Sequence, residues 1–349
     1  MTYILPFVEV HAVDHCNHTC ASCHNYSPHA PEREYSPEEY YEGLDILARN
    51  NVQLKLISIM GGEPFLHSDL TGFCRALFER YKRPLTITTN AFWFNRENIR
   101  LFRELWQYVY VLKISAYPSI EKRLGGREAV TRLFKDLYKY NPAMNIHHPD
   151  KYIFNDLKFF DEPKEPQLKC GNAGCLALLT DCRMAVCGAG AYQHFAPPGV
   201  ITEGFTASRH MFYDLRSFTE ESFIEWHTRY PLDACWYCNF AREDKRVPWR
   251  ALPGHGLFRK DVEYVFELNQ CRALEREGAA RRVDARILEF VKKEPAAAGT
   301  LSAIVLERCG RGDVEAARHL AASMAELMPE HEGRHILESV AAAQACGTA

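Results

Sequence analysis

The chain has 349 residues, of which 47% are hydrophobic and 25% charged, and its formal net charge is −3. These values are typical of an ordinary globular protein long enough for two or three domains. They give no electrostatic basis for binding nucleic acid or an anionic membrane. No apolar run approaches the ~18 residues of a membrane-spanning helix, and the first residues lack the pattern of a signal peptide. We therefore expect a cytoplasmic protein without nucleic-acid or membrane partners.

The cysteine distribution supports the same compartment. There are 13 cysteines, and nine of them fall in two zones, 16–23 and 170–238. An odd, clustered set without a secretion signal indicates metal ligands in a reducing cytoplasm and not a disulfide framework.

The first third of the chain alternates between strand and helix patterns. Strands are predicted at 7–13, 54–60, 84–89 and 109–115, with helices beginning near residues 36, 70 and 98. Such alternation predicts a parallel sheet with right-handed crossovers, an α/β fold. Loops at the carboxyl ends of the strands then share one edge.

Three cysteines follow the first strand directly. Cys16, Cys20 and Cys23 stand at the spacing C-x3-C-x2-C. Three thiolates this close cannot all pair as disulfides, and zinc sites usually combine a C-x2-C pair with a distant second pair. A short loop of three thiolates suits three irons of a four-iron cluster and leaves the fourth iron open. A zinc loop and three unrelated cysteines are the alternatives.

A second motif ends the next strand. Gly61-Gly62-Glu63-Pro64 follows an apolar run, about one crossover helix after the cysteines. The two motifs together resemble the signature of the radical S-adenosylmethionine (SAM) enzymes. The resemblance covers about residues 5–160 and implies a partial (β/α)6 TIM-like barrel, which we assign to residues 1–165.

The resemblance also implies a set of cofactor contacts. Cys16, Cys20 and Cys23 would hold a [4Fe-4S] cluster, and the amino and carboxylate groups of SAM would chelate its open iron. The implied SAM-binding residues are Gly61, Gly62, Glu63, Pro64, Thr88, Asn90 and Ser115. One departure is Ser22, which stands where the family usually has an aromatic residue near the adenine. His24 and Tyr26 are the candidates to replace it.

The second cysteine zone predicts a smaller α+β module at residues 166–250. Two short apolar runs between Cys170 and Cys187 indicate a β-hairpin, and a C-x2-C pair, Cys235 and Cys238, follows. Four such thiolates could hold zinc or a four-iron cluster. The pattern resembles the twitch or truncated SPASM module of radical SAM enzymes, which implies a second, auxiliary [4Fe-4S] cluster. It departs from that pattern at the turn glycine, which is Cys182 here.

Two cysteines are left over in this zone, Cys175 and Cys182. One hypothesis is that either thiol returns a hydrogen atom to a substrate radical, as in family epimerases. The alternatives are that Cys175 packs inside the hairpin or replaces Cys170 as a ligand, and that Cys182 caps a turn.

Residues 260–349 form the last region. They are rich in Ala, Glu, Arg and Leu with helical periodicity, which predicts an all-α region loosely like tetratricopeptide repeats. We expect this region to serve as a docking surface, as a dimer contact or as a helical cap on the barrel.

The function expected from the resemblance is radical chemistry on a carbohydrate-like small molecule in natural-product (antibiotic) biosynthesis. The preferred reaction is epimerisation at a secondary-alcohol carbon of a sugar or aminocyclitol. Dehydrogenation of that carbon, with the auxiliary cluster accepting the electron, and maturation of a ribosomal peptide are the enzymatic alternatives. The remaining alternative is a non-catalytic iron-sulfur carrier. A flavodoxin or ferredoxin would supply electrons.

Overall fold

The computed structural model describes residues 3–115, 117–147, 153–155, 157–166, 170, 175–239, 246–252, 260–328 and 330–347. The strands are β1 (Tyr3–Val13), β2 (Val52–Gly61), β3 (Leu85–Thr89), β4 (Val109–Ile114), β5 (Asn145–His147), β6 (Ile153–Asn155), β7 (Ala177–Leu178), β8 (Arg183–Ala185), β9 (Phe212–Asp214) and β10 (Arg246–Pro248).

The helices of the first 259 residues are α1 (Tyr41–Arg49), α2 (Leu70–Tyr81), α3 (Arg96–Leu101), α4 (Pro118–Arg123), α5 (Arg127–Leu137), α6 (Gly188–Ala191), α7 (Glu203–Thr206) and α8 (Glu220–Thr228). Those of the remaining chain are α9 (Lys260–Arg276), α10 (Ala280–Lys293), α11 (Ala298–Gly310), α12 (Val314–Ala325) and α13 (Glu330–Gly347). None of the helices in the described ranges is long and apolar enough to cross a membrane.

One eight-stranded sheet organises the first part of the chain, in the order β5-β4-β3-β2-β1-β7-β8-β9. Strands β1 to β5 are parallel to their neighbours and are connected through helices. The α/β fold with a parallel central sheet is therefore confirmed, and it is consistent with a partial TIM barrel. The helical C-terminal region is confirmed as well.

The second cysteine zone continues this same sheet. Strand β7 pairs with β1 in parallel through Glu9 and Ala177, and β8 and β9 follow in antiparallel order. Strand β1 is thus an interior strand, with β2 on one side and the hairpin β7–β8 on the other. The chain divides into two compact units, 1–259 and 260–349. The further division near residue 165 stays a prediction.

The sheet packs its two faces differently. Leu178 of β7 lies under α1, where Gly43 approaches it so closely that an added Cβ would be 2.7 Å from the leucine side chain. Ala177, which points to the other face, packs with Tyr26 and Tyr192. The face away from α1 therefore meets the chain that follows the cysteines.

The helical unit contains a buried ion-pair cluster. Arg308 is fully buried and pairs with Glu275 (2.5 Å) and Asp284 (2.7 Å). Arg311 contacts the same Glu275 carboxylate at 2.6 Å, but its side chain is 52% exposed. A buried guanidinium requires such partners because an uncompensated charge in the interior is costly.

These two arginines give a matched test of burial. Arg308→Ala leaves two acidic groups without their buried partner, and we expect it to destabilise the helical unit by about 3–5 kcal/mol. Arg311→Ala removes a half-exposed guanidinium and leaves Glu275 paired with Arg308, so it should cost less than about 1 kcal/mol. Urea unfolding followed by hydrogen exchange in peptides from residues 260–347 measures both. Equal effects of the two substitutions would contradict this account.

Candidate active site

The first three cysteines lie in the loop after β1. Cys16 and Cys20 are buried, and Cys23 is half-buried. Burial raises the pKa of each thiol, that of Cys20 to about 12, and the neighbouring cysteines raise the pKa of Cys16 and Cys20 further. The three sulfurs therefore lie within electrostatic range of one another. A cationic metal centre would reverse this repulsion, because it favours thiolates.

Hydrogen-bond donors point at these sulfurs. The backbone N–H of His18 donates to Cys16 Sγ (3.3 Å), and the indole Nε1–H of Trp249 donates to Cys20 Sγ (3.2 Å). Neutral thiols gain little from such bonds, whereas metal-bound thiolates are stabilised by them. The loop therefore fits an iron-sulfur cluster held by Cys16, Cys20 and Cys23.

Strand β2 ends against this loop. The N–H of Gly62 donates to the carbonyl of Val13 (3.0 Å), and that of Glu63 donates to the carbonyl of His15 (3.1 Å). A Cβ on Gly62 would lie 1.8 Å from His15 O, and one on Gly61, at φ +129°, would lie 1.9 Å from Val13 O. The two glycines are thus required by the close approach of two backbones.

Glu63 ties the ends of β2 and β3 together. It is fully buried, and its carboxylate accepts hydrogen bonds from Thr89 Oγ1 (2.6 Å), Asn90 N (2.7 Å) and Phe65 N (3.3 Å). Burial raises its pKa to about 7, although these three bonds lower it. Both carboxylate oxygens therefore have partners within the chain, so a hydrogen bond to the SAM amino group would be additional to these.

The other residues with an implied SAM contact lie at the same sheet edge. Pro64 starts a 3-10 helix, Thr88 is half-buried, and Ser115 is buried with its N–H donating to the Thr89 carbonyl (2.8 Å). Asn90 Nδ2 donates to Asn17 Oδ1 (2.8 Å). Glu63 and Asn90 thus contact the cysteine loop directly, and Thr88 and Ser115 lie at the ends of the neighbouring strands β3 and β4.

Asn17 provides an observation that fits a bound cofactor. It is fully buried, and its Nδ2 has no hydrogen-bond partner in the described part of the chain. A buried donor of this kind is costly unless a ligand or water accepts from it. The carboxylate of SAM is an acceptor of the right type.

A network of hydrogen-bonded polar side chains connects the cysteine loop to strands β1 and β2. His11 Nδ1 lies 3.0 Å from Asp14 Oδ1, and Tyr35 donates to the other carboxylate oxygen at 2.5 Å. Asn25 Nδ2 contacts His11 Nε2 (3.3 Å) and donates to Gly61 O (3.1 Å). Sequence reasoning missed these four side chains, which span 24 positions from His11 to Tyr35.

The face of β1 opposite α1 carries a second missed residue, Glu9. Its side chain is only 4% exposed, and burial raises its pKa to about 7, with Lys113 acting in the opposite direction. Lys113 Nζ lies 5.5 Å from the ring centroid of Phe7, two residues before Glu9 on the same face. The only sequence signal was an acidic residue within an otherwise apolar strand.

Four cysteines of the second zone line one small apolar cavity. Cys170, Cys187, Cys235 and Cys238 share it with Phe205, Met211 and Leu232 among others. Burial raises the pKa of Cys187, and the other three thiols raise it further. Their number, proximity and apolar surroundings fit the predicted set of auxiliary ligands.

Within the described ranges, no three His, Cys, Asp or Glu side chains are placed to hold one metal ion. That geometry concerns a single ion, whereas a four-iron cluster spreads its thiolates over separate irons.

The two spare cysteines lie on opposite faces of the sheet. Cys182 is buried at the hairpin turn with φ +66°, beside Glu42 of α1 and Arg216. Cys175 lies two residues before β7, and its thiol is within electrostatic range of Glu9, whose side chain is on the face away from α1. Burial and then Glu9 raise the pKa of Cys175 to about 11, while Lys113 lowers it. Cys175 thus lies near Glu9, on the face away from α1.

Comparison with known proteins bears on the first cysteine site. The model of the Radical SAM superfamily matches residues 11–146. This match supports a radical SAM domain. It implies a [4Fe-4S] cluster with SAM and indicates an enzyme. No curated protein sequence matches the chain.

Two solved structures are similar in part. One is BtrN in complex with AdoMet and 2-DOIA, with 14% identity over 68% of this chain and 94% of BtrN, at a TM-score of 0.43. The other is Streptococcus suis SuiB bound to S-adenosylmethionine, with 21% identity over 42% of this chain and 34% of SuiB, at a TM-score of 0.32.

The close contact of Gly61 and Gly62 with the backbone of Val13 and His15, called the glycine lock below, leads to a first prediction for this site. Gly62→Ala should displace the cysteine loop, because its Cβ would meet a backbone oxygen at 1.8 Å. We expect a destabilisation of about 3 kcal/mol or more and loss of the N-terminal cluster, measured by denaturant unfolding and iron content. Gly299→Ala, where an added Cβ meets nothing within 4 Å, is the control. Full iron content in Gly62→Ala would disprove the lock.

Glu9 leads to a prediction on pH. The unfolded chain releases this proton near pH 4.5 and the folded chain near 7, so stability falls as the pH rises between these values. The shift corresponds to about 3 kcal/mol. Glu9→Gln should therefore match the wild type at pH 4 and exceed its unfolding free energy at pH 8. Glu128→Gln, at a 94% exposed side chain, should show little difference at either pH. A pH-independent effect of Glu9→Gln would contradict the burial argument.

Proposed function

We propose that this protein is a radical SAM enzyme that epimerises a secondary-alcohol carbon of a sugar or aminocyclitol, with Cys175 returning the hydrogen atom. The observation that carries the proposal is the backbone lock between the cysteine loop and Gly61–Gly62. It holds the three cysteines against the end of β2, where SAM would bind, and Cys175 lies within electrostatic range of Glu9 on the adjoining strand β1.

The cofactors and the chain have separate tasks. When bound, SAM on a reduced cluster supplies a carbon-centred radical that can remove hydrogen from an unactivated C–H bond. Cys16, Cys20 and Cys23 hold the cluster, and the buried amides of Asn17 and Asn90 orient the cofactor.

The return of hydrogen assigns a role to Cys175. One hydrogen atom leaves the substrate carbon, and the carbon radical then takes one from the S–H of Cys175 on its other side. The S–H bond is weaker than most C–H bonds, so the transfer is favourable. One electron and one proton restore the thiol, and a flavodoxin or ferredoxin supplies the electron. Cys182, beside α1, has no part in this proposal.

Dehydrogenation is the second candidate because a specific observation favours it. The four cysteines Cys170, Cys187, Cys235 and Cys238 line one cavity, and Cys170 is within electrostatic range of Cys175. An auxiliary [4Fe-4S] cluster there would accept the second electron from the substrate radical, and the alcohol would leave as a ketone with release of one proton.

The cofactor content tests the first step. Anaerobic reconstitution should give about eight irons per chain, four in each cluster, and dithionite should drive cleavage of SAM to methionine and 5′-deoxyadenosine. About four irons with one zinc would remove the auxiliary cluster. Absence of SAM cleavage in fully loaded protein would remove the proposed function.

The reaction is tested by a matched pair of cysteine variants in deuterated water, with 2-deoxystreptamine and myo-inositol among the candidate polyols. Epimerisation incorporates solvent deuterium at carbon through the exchangeable S–H. Cys175→Ala should abolish that incorporation while SAM cleavage persists, and Cys182→Ala should leave it intact. A ketone without deuterium would support dehydrogenation instead. Deuterium incorporation in Cys175→Ala would rule out this donor.

A further inference from the structure

The segment that follows the second cysteine zone returns to the first cysteine loop. Strand β10 pairs with β6, and the next residues run antiparallel to the loop. Ala21 N donates to Arg250 O (3.0 Å), and Leu252 N donates to Thr19 O (2.8 Å). Two backbone hydrogen bonds thus fix this segment on either side of Cys20.

Trp249 lies at the centre of that attachment. Its indole N–H donates to Cys20 Sγ at 3.2 Å. Its ring stacks on His18, with centroids 5.0 Å apart and planes 15° apart, and His18 in turn contacts the ring of Tyr117 at 4.7 Å. The His18 Nε2 is 3.0 Å from Ser119 Oγ. The indole is therefore held by stacking as well as by its backbone.

We propose that Trp249 is a positioning residue that raises the reduction potential of the cluster bound by Cys20. This inference rests on the cluster named under the proposed function, and it goes further by assigning a role to a residue outside both cysteine motifs. Hydrogen bonds to the sulfurs and solvent exposure are two means by which a protein sets such a potential.

Electrostatics gives the direction in which the Trp249 N–H shifts the reduction potential. Reduction adds negative charge to the cluster and its thiolates, so an N–H dipole aimed at one sulfur stabilises the reduced state more than the oxidised state. Cys20 is only 7% exposed, and the low local dielectric strengthens the effect. Tyr117 also hydrogen-bonds Cys20, so loss of the indole N–H removes part of the donation. A higher potential makes reduction by a flavodoxin or ferredoxin easier.

The test is a redox titration of the loaded, full-length protein. Trp249→Phe keeps an aromatic ring for the stack and removes the N–H. We expect its N-terminal cluster to titrate at a lower potential than in the wild type. The cluster is identified as the one whose electron paramagnetic resonance signal changes when SAM is added.

The matched control is Trp226→Phe. Trp226 is a buried tryptophan, whereas Trp249 is half-buried, and the indole N–H of Trp226 donates to the backbone carbonyl of His210 (2.9 Å) instead of to a sulfur. This variant should leave the potential unchanged.

Two other results would overturn the proposed role of Trp249. An unchanged potential in Trp249→Phe would overturn the inference. So would complete loss of the N-terminal cluster from that variant alone, since the indole would then be a structural support. If the wild type itself has no SAM-sensitive cluster, the proposed function fails first.

Discussion

The close backbone contact between the first cysteine loop and the end of β2 is the constraint on which this site depends. The two backbones can approach this closely only at glycine, because a Cβ on Gly61 or Gly62 would lie less than 2 Å from the carbonyl oxygen of Val13 or His15. The contact fixes the loop relative to the sheet, and Glu63 then carries the restraint to Thr89 and Asn90 of the next strand end. Rigid strands thereby orient cysteines that a free loop would leave variable.

The interior position of β1 explains how two cysteine sets come together. Its neighbour β2 carries the glycine lock, and its other neighbour β7 begins the hairpin that leads to Cys187. Residues Cys23 and Cys187 are far apart in sequence, yet Tyr26 packs against Ala177 of the hairpin and donates to Ala189 O (3.4 Å). The sheet thus fixes the two cysteine sets relative to each other. The pairing of Glu9 with Ala177 gives these two residues a common face, and Cys175 lies within electrostatic range of Glu9.

The sequence patterns predicted the features that depend on neighbouring residues. Strand and helix alternation indicated the parallel sheet, and the two short motifs indicated which loops would meet at its edge. The pairing of β7 with β1 could not be predicted, because a strand of two residues has no periodicity and its partner is set by tertiary packing. For the same reason the sequence could not separate Cys175 from Cys182, which a turn places on opposite faces. Thr89 was missed beside Thr88 because a shift of one residue reverses the face, and Trp249 because its contact with Cys20 spans 229 positions.

The buried thiols require the charge that the clusters provide. Burial raises the pKa of Cys16, Cys20 and Cys23, and neighbouring thiols raise that of Cys16 and Cys20 further, so an iron-free loop holds neutral thiols at pH 7. Iron binding must therefore release protons, and its free energy contributes to the stability of the folded loop. The N–H donors of His18 and Trp249 gain full strength only with ionised sulfur. Because Trp249 lies 229 positions from Cys20, the segment of residues 246–252 must pack against the loop before the cluster reaches its final hydrogen-bonded state.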